Sequence, residues 1–84
     1  MYNAIVTPYK ENGVVRVRLG CEIPGTDIYY TFDNTDPDPY TPRYTAPLEI
    51  PEGATWLKVV TYRNGKPSGK MITITTKELR ERAK

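Results

Sequence analysis

The stretch that decides the fold is Asp27-Ile-Tyr-Tyr-Thr-Phe-Asp-Asn-Thr-Asp-Pro-Asp-Pro39, a strand pattern that runs into an acidic turn. Two sets of side chains alternate along its first half: Ile28, Tyr30 and Phe32 on one face, and Tyr29, Thr31 and Asp33 on the other. This period of two predicts a strand with one buried face. Asn34 tolerates a left-handed backbone, and Pro37 and Pro39 cannot donate to a sheet ladder, so the strand ends there. The predicted structural turn consists of Asp33, Asn34, Asp36 and Pro37.

Short strand patterns with turn signals lie on both sides of this segment. The further predicted strands are residues 4–9, 15–21, 47–50, 57–62 and 71–75, with turns at Asn12-Gly13 and Asn64-Gly65. Asn-Gly between two strand patterns favours a hairpin, because both turn residues need a positive φ. The predicted inward set is Val15, Val17, Leu19, Ile28, Tyr30, Phe32, Leu48, Ile50, Leu57, Val59, Ile72 and Ile74. These features predict an all-β protein: a small antiparallel sandwich, immunoglobulin-like or fibronectin-III-like in outline.

The hydrophobic period changes near the C-terminal end. Thr75 and Glu78 have the spacing of a capping box, which predicts the start of a helix. Residues 77–84 are therefore predicted to be a short helical or frayed tail that follows a single sandwich domain of residues 1–76. An isolated helix this short is marginal, so we expect it to form only by docking Leu79 against the sheets.

Composition excludes several classes of function. The chain has 84 residues, which fits one domain. Its 12 basic and 10 acidic residues nearly balance and form no basic stripe, so nucleic acid is not an expected partner. There is no histidine, which removes the commonest general base and metal ligand. No apolar run approaches the roughly 20 residues of a membrane span.

Two further features of the sequence are its single cysteine and its opening residues. Cys21 is the only cysteine, so no internal disulfide is expected, and its place in a strand pattern predicts a small buried hydrophobe. The opening Met1-Tyr2-Asn3 is interpreted as a start cut into a longer protein. No cofactor is predicted.

Three segments resemble a known family. Residues Ile28–Pro37, Tyr44–Leu48 and Leu57–Gly69 are similar to the chitobiase/β-hexosaminidase C-terminal domain family, and the version at the end of Bacteroidetes family 20 glycoside hydrolases is the most similar. The resemblance covers roughly Gly25–Ala83. Asn34 stands where that family usually has glycine, and asparagine is the next-best residue for a left-handed position.

The resemblance implies a role as well as a fold. Members of this family are accessory β-sandwiches downstream of a catalytic (β/α)8 barrel, so this chain is expected to be non-catalytic itself. The implied parent is a secreted glycoside hydrolase of the β-N-acetylhexosaminidase type, and its catalytic domain is the expected partner. The implied location is periplasmic, outer-membrane-associated or extracellular. No catalytic residue is carried over, because the catalytic pair of the parent lies in the barrel.

The acidic turn has two functional alternatives to simple turn chemistry. Asp33, Asp36 and Asp38 could offer oxygen ligands to calcium, but the spacing lacks the glycine and closing glutamate of a known calcium loop. A glycosidase pair needs two carboxyl groups about 5–10 Å apart across a cleft, which a solvated turn does not offer. Aspartate is an ordinary turn former, so a structural turn is the preferred interpretation.

A candidate contact surface follows from the outward residues of two strands. It consists of Tyr29, Trp56, Val60 and Tyr62. If the two strands are neighbours, these side chains form an apolar patch of the kind that marks binding faces. Packing on the parent's catalytic domain is the preferred interpretation, stacking on sugar rings is the second, and scattered surface aromatics are the third. The basic residues Arg16, Arg18, Lys58, Arg63, Lys66 and Lys70 are predicted to form a solvated face.

Overall fold

The chain folds into two antiparallel sheets and one short helix. A computed structural model describes residues 3–83, and Met1, Tyr2 and Lys84 lie outside the described part. The interpretation of the opening Met1-Tyr2-Asn3 as a start cut into a longer protein concerns residues at this undescribed end. The elements are β1 Ile5–Glu11, β2 Val14–Gly20, β3 Asp27–Thr31, β4 Leu48–Glu49, β5 Trp56–Arg63, β6 Lys66–Pro67, β7 Ile72–Thr75 and α1 Thr76–Arg82. The predicted all-β sandwich with a short C-terminal helix is confirmed.

The first sheet has the strand order β1-β2-β4, and the second is built around β5. On one edge β5 pairs with β3, and on the other with β6 and then β7. Each sheet contains an Asn-Gly hairpin. Asn12 and Gly13 have φ values of 52° and 79°, and Asn64 and Gly65 have 53° and 76°. Both turns therefore use the two positive φ values that the sequence predicts.

The partner of β5 across the second Asn-Gly turn differs from the prediction. Residues 71–75 were expected to form that partner, but β6 occupies the position, with Tyr62 opposite Pro67. Strand β7 follows after residues 68–70 and pairs further along β5, with Val59 opposite Ile72. Because residues 68–70 interrupt the ladder, the pairing register of β7 is offset by two residues from that of β6.

The core lies between the sheets and draws on both. Its buried apolar side chains are Val17, Leu19, Ile28, Leu57, Val59, Ile74 and Leu79. Partly buried residues packed against it include the predicted Tyr30, Phe32, Leu48, Ile50 and Ile72, together with Cys21. Val15 is the exception in the predicted inward set, because it lies opposite Lys10, next to the first hairpin turn, and outside the core cluster.

Helix α1 seals one side of the sandwich. Its N-cap residue Thr75 accepts a 3.1 Å hydrogen bond from the backbone N–H of Glu78, as the capping-box spacing predicts. Leu79 is completely buried and joins the core, and the helix contacts both β1 and β7, which are edge strands of different sheets. No helix within residues 3–83 is long and apolar enough to cross a membrane.

The other side of the sandwich is crossed by the chain as it leaves β3. The backbone N–H of Tyr30 donates to the carbonyl oxygen of Pro42 at 3.2 Å, and that of Tyr44 donates to the carbonyl oxygen of Ile28 at 2.7 Å. The chain then passes to the first sheet, where Leu48 in β4 pairs with Val17. This side therefore has no helix over it, and irregular segments cover it instead.

The predicted single basic face is wrong. Arg16 and Arg18 belong to β2 and lie on the outer side of the first sheet, whereas Lys58 belongs to β5 in the second sheet. Strand pairing, which the sequence does not reveal, places these cations on opposite sides of the molecule.

Candidate functional site

The outer side of the second sheet carries a cluster of aromatic and apolar side chains. Tyr29 lies directly opposite Val60 in the β3–β5 ladder, and Tyr62 lies diagonally from Tyr29. The rings of Tyr29 and Tyr62 meet edge to face, with centroids 5.5 Å apart and an angle of 85° between the planes. We call Tyr29, Val60 and Tyr62 the aromatic face. All three side chains are partly exposed, so their apolar surface is open to a partner.

An ion pair lies at the rim of the aromatic face. Asp27 stands opposite Tyr62 in the ladder, and its Oδ1 atom is 3.6 Å from Nη1 of Arg43. Arg43 also forms an isolated β-bridge with Tyr29. An apolar centre with charges at its rim is the usual anatomy of a protein contact.

Trp56 does not join this cluster. It shares the outer side of β5 with Tyr62, but six residues at about 3.3 Å each place it roughly 20 Å along the strand. Its side chain is 37% exposed, and it lies beside Asn34 and Thr55 in a shallow depression of about 320 Å³. The four candidate surface residues therefore lie at two separate sites. Tyr29, Val60 and Tyr62 form the aromatic face, and Trp56 lies in the depression that we call the Trp56 depression.

The acidic turn is held by its own side chains. The Asp33 carboxylate accepts hydrogen bonds from the hydroxyl and the backbone N–H of Thr35. These bonds hold the pKa of Asp33 below its ordinary value, the hydroxyl bond contributing most, because they favour the charged form. Asn34 has a φ of 67°, the left-handed conformation expected where the resembling family has glycine.

The turn folds back onto the outer side of the second sheet. Lys58 is only 16% exposed in its side chain, and its Nζ atom lies 3.3 Å from the Asn34 carbonyl oxygen and 3.4 Å from Asp36 Oδ1. Pro37 is buried, and the hydroxyl of the buried Thr31 donates to the carbonyl oxygen of Thr35. The turn thus covers the part of the face between Tyr29 and Trp56.

The third aspartate of the turn also has a local partner. Asp38 accepts a 2.8 Å hydrogen bond from the backbone N–H of Tyr40, and its own N–H donates to the Thr41 hydroxyl at 3.1 Å. Within residues 3–83, no three His, Cys, Asp or Glu side chains are grouped so that they could hold a metal ion. The contacts of Asp33 and Asp38 are those of turn chemistry, whereas Asp36 pairs with Lys58 of β5.

A groove that the sequence did not reveal lies beside the turn, on the side of the sandwich that has no helix. It has a volume of about 460 Å³. Its apolar wall includes Tyr30, Phe32, Pro42 and Pro51, and the carboxylates among its lining residues are Asp33 and Glu52. We call this the end groove. The Trp56 depression adjoins it, because Phe32, Asp33 and Gly53 line both.

The end groove was missed because its lining looks like core in the sequence. Tyr30 and Phe32 alternate with outward residues in the same way as buried residues do. Both side chains point inward, and the centroids of their rings are 6.0 Å apart. Strand β4, however, has only two residues, so the first sheet does not extend over them. The sequence contained one indication of the groove: two large aromatic side chains lie on an edge strand that is followed by prolines.

The arrangement as a whole offers surfaces for contact and no catalytic constellation among the described residues. The family model of the Fn3-associated domain matches residues 17–78, and the chain belongs to this family. No curated protein and no solved structure matches the chain.

Membership of the Fn3-associated family supports an accessory, non-catalytic module. The matched residues overlap most of the segment that resembles the chitobiase/β-hexosaminidase C-terminal domain. The more detailed assignment to a family 20 β-N-acetylhexosaminidase stays a prediction.

Proposed function

We propose that this domain is a non-catalytic accessory module of a secreted glycoside hydrolase, of the β-N-acetylhexosaminidase type, and that it packs on the catalytic domain through the aromatic face. Its role is structural: it stabilises and orients the catalytic domain. The proposal places the domain wherever the parent enzyme works, in the periplasm, at the outer membrane or outside the cell. The motif resemblance supports the type of parent, and the family match supports the accessory role.

The observation that carries the proposal is the aromatic face itself. Tyr29 and Tyr62 contact each other edge to face, and this contact favours one arrangement of the two rings before any partner binds. Fixed aromatic side chains lose little conformational entropy on binding, and each buries about 150–250 Å² when fully covered. Interfaces between domains of one chain cover about 600–1,500 Å², so these two rings would form a substantial part of one.

The outer side of the first sheet offers no comparable surface. Its central residue, Arg16, is paired with Glu11 at 3.4 Å and with Glu49 at 3.1 Å. Arg18 lies over the ring of Tyr9, 4.8 Å from the ring centroid. Arg16 therefore already has two carboxylate partners in the isolated domain, and burying either arginine would cost desolvation.

Stacking of sugars on surface aromatics is the second candidate function. It required Tyr29, Trp56 and Tyr62 to act together as one platform. The roughly 20 Å between Trp56 and Tyr62, with Lys58 and the acidic turn lying between them, does not favour this arrangement.

The proposal is tested in the full-length protein that carries this domain. Tyr62→Lys places a charge in the centre of the proposed interface, so we expect about 2 kcal/mol or more of coupling between the domains to be lost, as for an interface hot spot. Thermal unfolding of the neighbouring domain would report this as a lower transition temperature. Tyr9→Lys on the other sheet is the matched control and should leave that transition unchanged; equal effects of the two variants would contradict the proposal.

A titration of the isolated domain separates the two candidate functions. N-acetylglucosamine and chito-oligosaccharides are added to the labelled chain while amide chemical shifts are followed. The packing proposal predicts a flat titration around Tyr29 and Tyr62. Shifts there that saturate at millimolar sugar would instead favour the carbohydrate function.

A further inference from the structure

The end groove is lined by two carboxylates that form no ion pair within residues 3–83. Within residues 3–83, the ion pairs use the carboxylates of Glu11, Asp27, Asp36, Glu49 and Glu78. Asp33 and Glu52, which both line the end groove, are in none of these pairs. Asp33 is bound only by the neutral Thr35, which keeps the carboxylate charged without cancelling its charge. A protein of net charge +2 thus presents a locally anionic groove.

The wall of the same groove suits an apolar stem. Tyr30 and Phe32 form an edge-to-face pair there, and Pro42 and Pro51 add rigid apolar surface. Aromatic rings attract cations through their electron-rich faces, and the methylene groups of lysine and arginine pack well on apolar surface. The chemistry of the groove therefore matches a ligand with a cationic head on an apolar stem.

The hydroxyl groups of the groove argue against a neutral polyol. The Thr35 hydroxyl donates to Asp33, and the Thr41 hydroxyl donates to the Asp38 carbonyl oxygen at 2.8 Å. Both donors are therefore in use, as is the Thr31 hydroxyl, which donates to the Thr35 carbonyl oxygen. The carboxylate oxygens of Asp33 and Glu52 are acceptors that the groove still offers. Carboxylates accept hydrogen bonds most strongly from ionised donors.

The groove adjoins a second depression, so one ligand could contact both. Its volume of about 460 Å³ lies in the range of ligand sites. It continues past Phe32 and Gly53 into the depression of about 320 Å³ beside Trp56. A polypeptide could place one side chain in the groove and a neighbouring apolar one against the exposed indole of Trp56.

We propose that the end groove binds the lysine or arginine side chain of an extended polypeptide segment, held by Asp33 and Glu52 at its head and by Tyr30 and Phe32 along its stem. The contact is separate from the aromatic face and does not depend on the proposed packing against a catalytic domain. The proposed partner is a polypeptide because the adjoining Trp56 depression offers a second contact that a simple amine could not reach.

The test uses the 84-residue chain labelled with ¹⁵N and three blocked tripeptides: leucine-arginine-leucine, leucine-lysine-leucine and leucine-glutamine-leucine. The two cationic peptides are expected to shift the amides of residues 30–35 and 52–56, with dissociation constants on the order of 1 mM. The glutamine peptide should bind at least about threefold more weakly, since it lacks the charge. Raising the ionic strength from about 0.02 M to about 0.5 M should weaken the cationic peptides further.

Variants identify the groove as the site. Glu52→Gln and Asp33→Asn should each weaken the arginine peptide by about threefold, which is the effect of one exposed ion pair. Glu22→Gln is the matched control, because Glu22 is exposed and is in no ion pair of residues 3–83, but it does not line the groove. Within residues 3–83 Glu52 makes no hydrogen bond or ion pair with the turn, so its variant keeps the test valid even if Asp33→Asn disturbs the turn.

Several results would overturn the proposal. They are an absence of shifts with both cationic peptides, equal binding of the glutamine peptide, and unchanged binding by the Glu52→Gln variant. Binding of n-butylammonium as tight as that of the lysine peptide would overturn the assignment to a polypeptide. Shifts at the same amides with chito-oligosaccharide but not with the cationic peptides would assign the groove to a neutral sugar instead.

Discussion

The two sheets of this domain have outer faces of opposite character. Both sheets contain an Asn-Gly hairpin and both contribute to one core, yet the first sheet is covered by Arg16, Arg18 and their partners. The second exposes the aromatic face of Tyr29, Val60 and Tyr62. Because alternation fixes only which residues point inward, the outward residues are free to differ. The proposed packing against a catalytic domain rests on this difference between the outer faces and not on the shared core.

The largest expected effect concerns the core that both faces share. Leu79→Ala removes a completely buried side chain that α1 inserts between β1 and β7, so we expect a loss of about 3 kcal/mol in the free energy of unfolding. For a domain of this size, that lowers the melting temperature by roughly 15 °C. Lys77→Ala, in the same helix but exposed, should change stability by less than about 0.5 kcal/mol.

Hydrogen exchange on the Leu79→Ala variant sharpens the comparison. Amides on both sheets should lose protection together, because one core holds both. If one sheet kept its protection while the other lost it, the two faces would belong to separate folding units.

The two hairpin turns provide a matched pair of backbone tests. Gly13→Ala and Gly65→Ala should each cost about 1–2 kcal/mol, since both positions have φ near +80° and a side chain there is strained. A Cβ atom at either site meets nothing within 4 Å, so the cost is purely conformational. Gly20→Ala, which also has free space but no positive φ, is the control and should be close to neutral. Urea denaturation of the three variants would show whether the turns of the two faces are equivalent.

The contact between the Tyr29 and Tyr62 rings should contribute less to the free energy of unfolding, and its contribution should not depend on the salt concentration. Tyr62→Leu keeps much of the apolar area but removes the edge-to-face contact with Tyr29, so we expect a loss of about 1 kcal/mol. The loss should be the same at low and at high salt when it is measured by denaturation. A marked salt dependence would mean that the neighbouring Asp27–Arg43 pair, and not the ring contact, governs this face.

The ion pairs of Arg16 on the first sheet should contribute to stability in a way that depends on salt, unlike the ring contact on the second sheet. Arg16→Gln breaks the contacts with Glu11 and Glu49, and because both carboxylates are well exposed the cost should be only about 0.5 kcal/mol at low salt. That cost should disappear in about 1 M NaCl, where the Debye length is roughly 3 Å. A larger loss that persists in salt would indicate that Arg16 stabilises the sheet through packing and not through charge.

The smallest effect concerns pH and the acidic turn that lies over the second sheet. The pKa of Asp33 is lower in the folded protein because Thr35 bonds to the charged carboxylate. A lowered pKa contributes stability that is present above the unfolded-state pKa of about 4 and is lost as the pH falls through the folded value. The stability difference between the wild type and Asp33→Asn should therefore shrink below about pH 4. A difference that stayed constant down to acid pH would contradict this account, and Glu22→Gln serves as the control.

Local chemistry made much of the fold predictable. Alternation along β2, β3 and β5 identified most of the core, Asn-Gly located both hairpins, and the spacing of Thr75 and Glu78 located the helix. Each of these signals acts over a few residues, so no partner strand needs to be known. The same signals placed Tyr29, Val60 and Tyr62 on one side of the sheet.

What depends on strand pairing was not predictable. The separation of β6 from β7 follows from register. The distance between Trp56 and Tyr62, by contrast, follows from their spacing of six residues on one strand and could be read from the sequence. The end groove arises because β4 stops after two residues, which leaves Tyr30 and Phe32 without a covering strand. A periodic pattern cannot show that an inward residue lacks a neighbour on the opposite sheet.

The most direct test of the account compares the two outer faces by hydroxyl-radical labelling of tyrosines. Tyr29 and Tyr62 report on the second sheet, Tyr9 reports on the first, and Tyr40, which is 97% exposed, serves as a reference. Labelling is measured in the 84-residue chain alone and in the proposed parent protein, in which the chain is joined to a catalytic domain. The account predicts that Tyr29 and Tyr62 become protected in the full-length protein while Tyr9 and Tyr40 do not. Unchanged labelling of Tyr29 and Tyr62, or protection of Tyr9 instead, would contradict it.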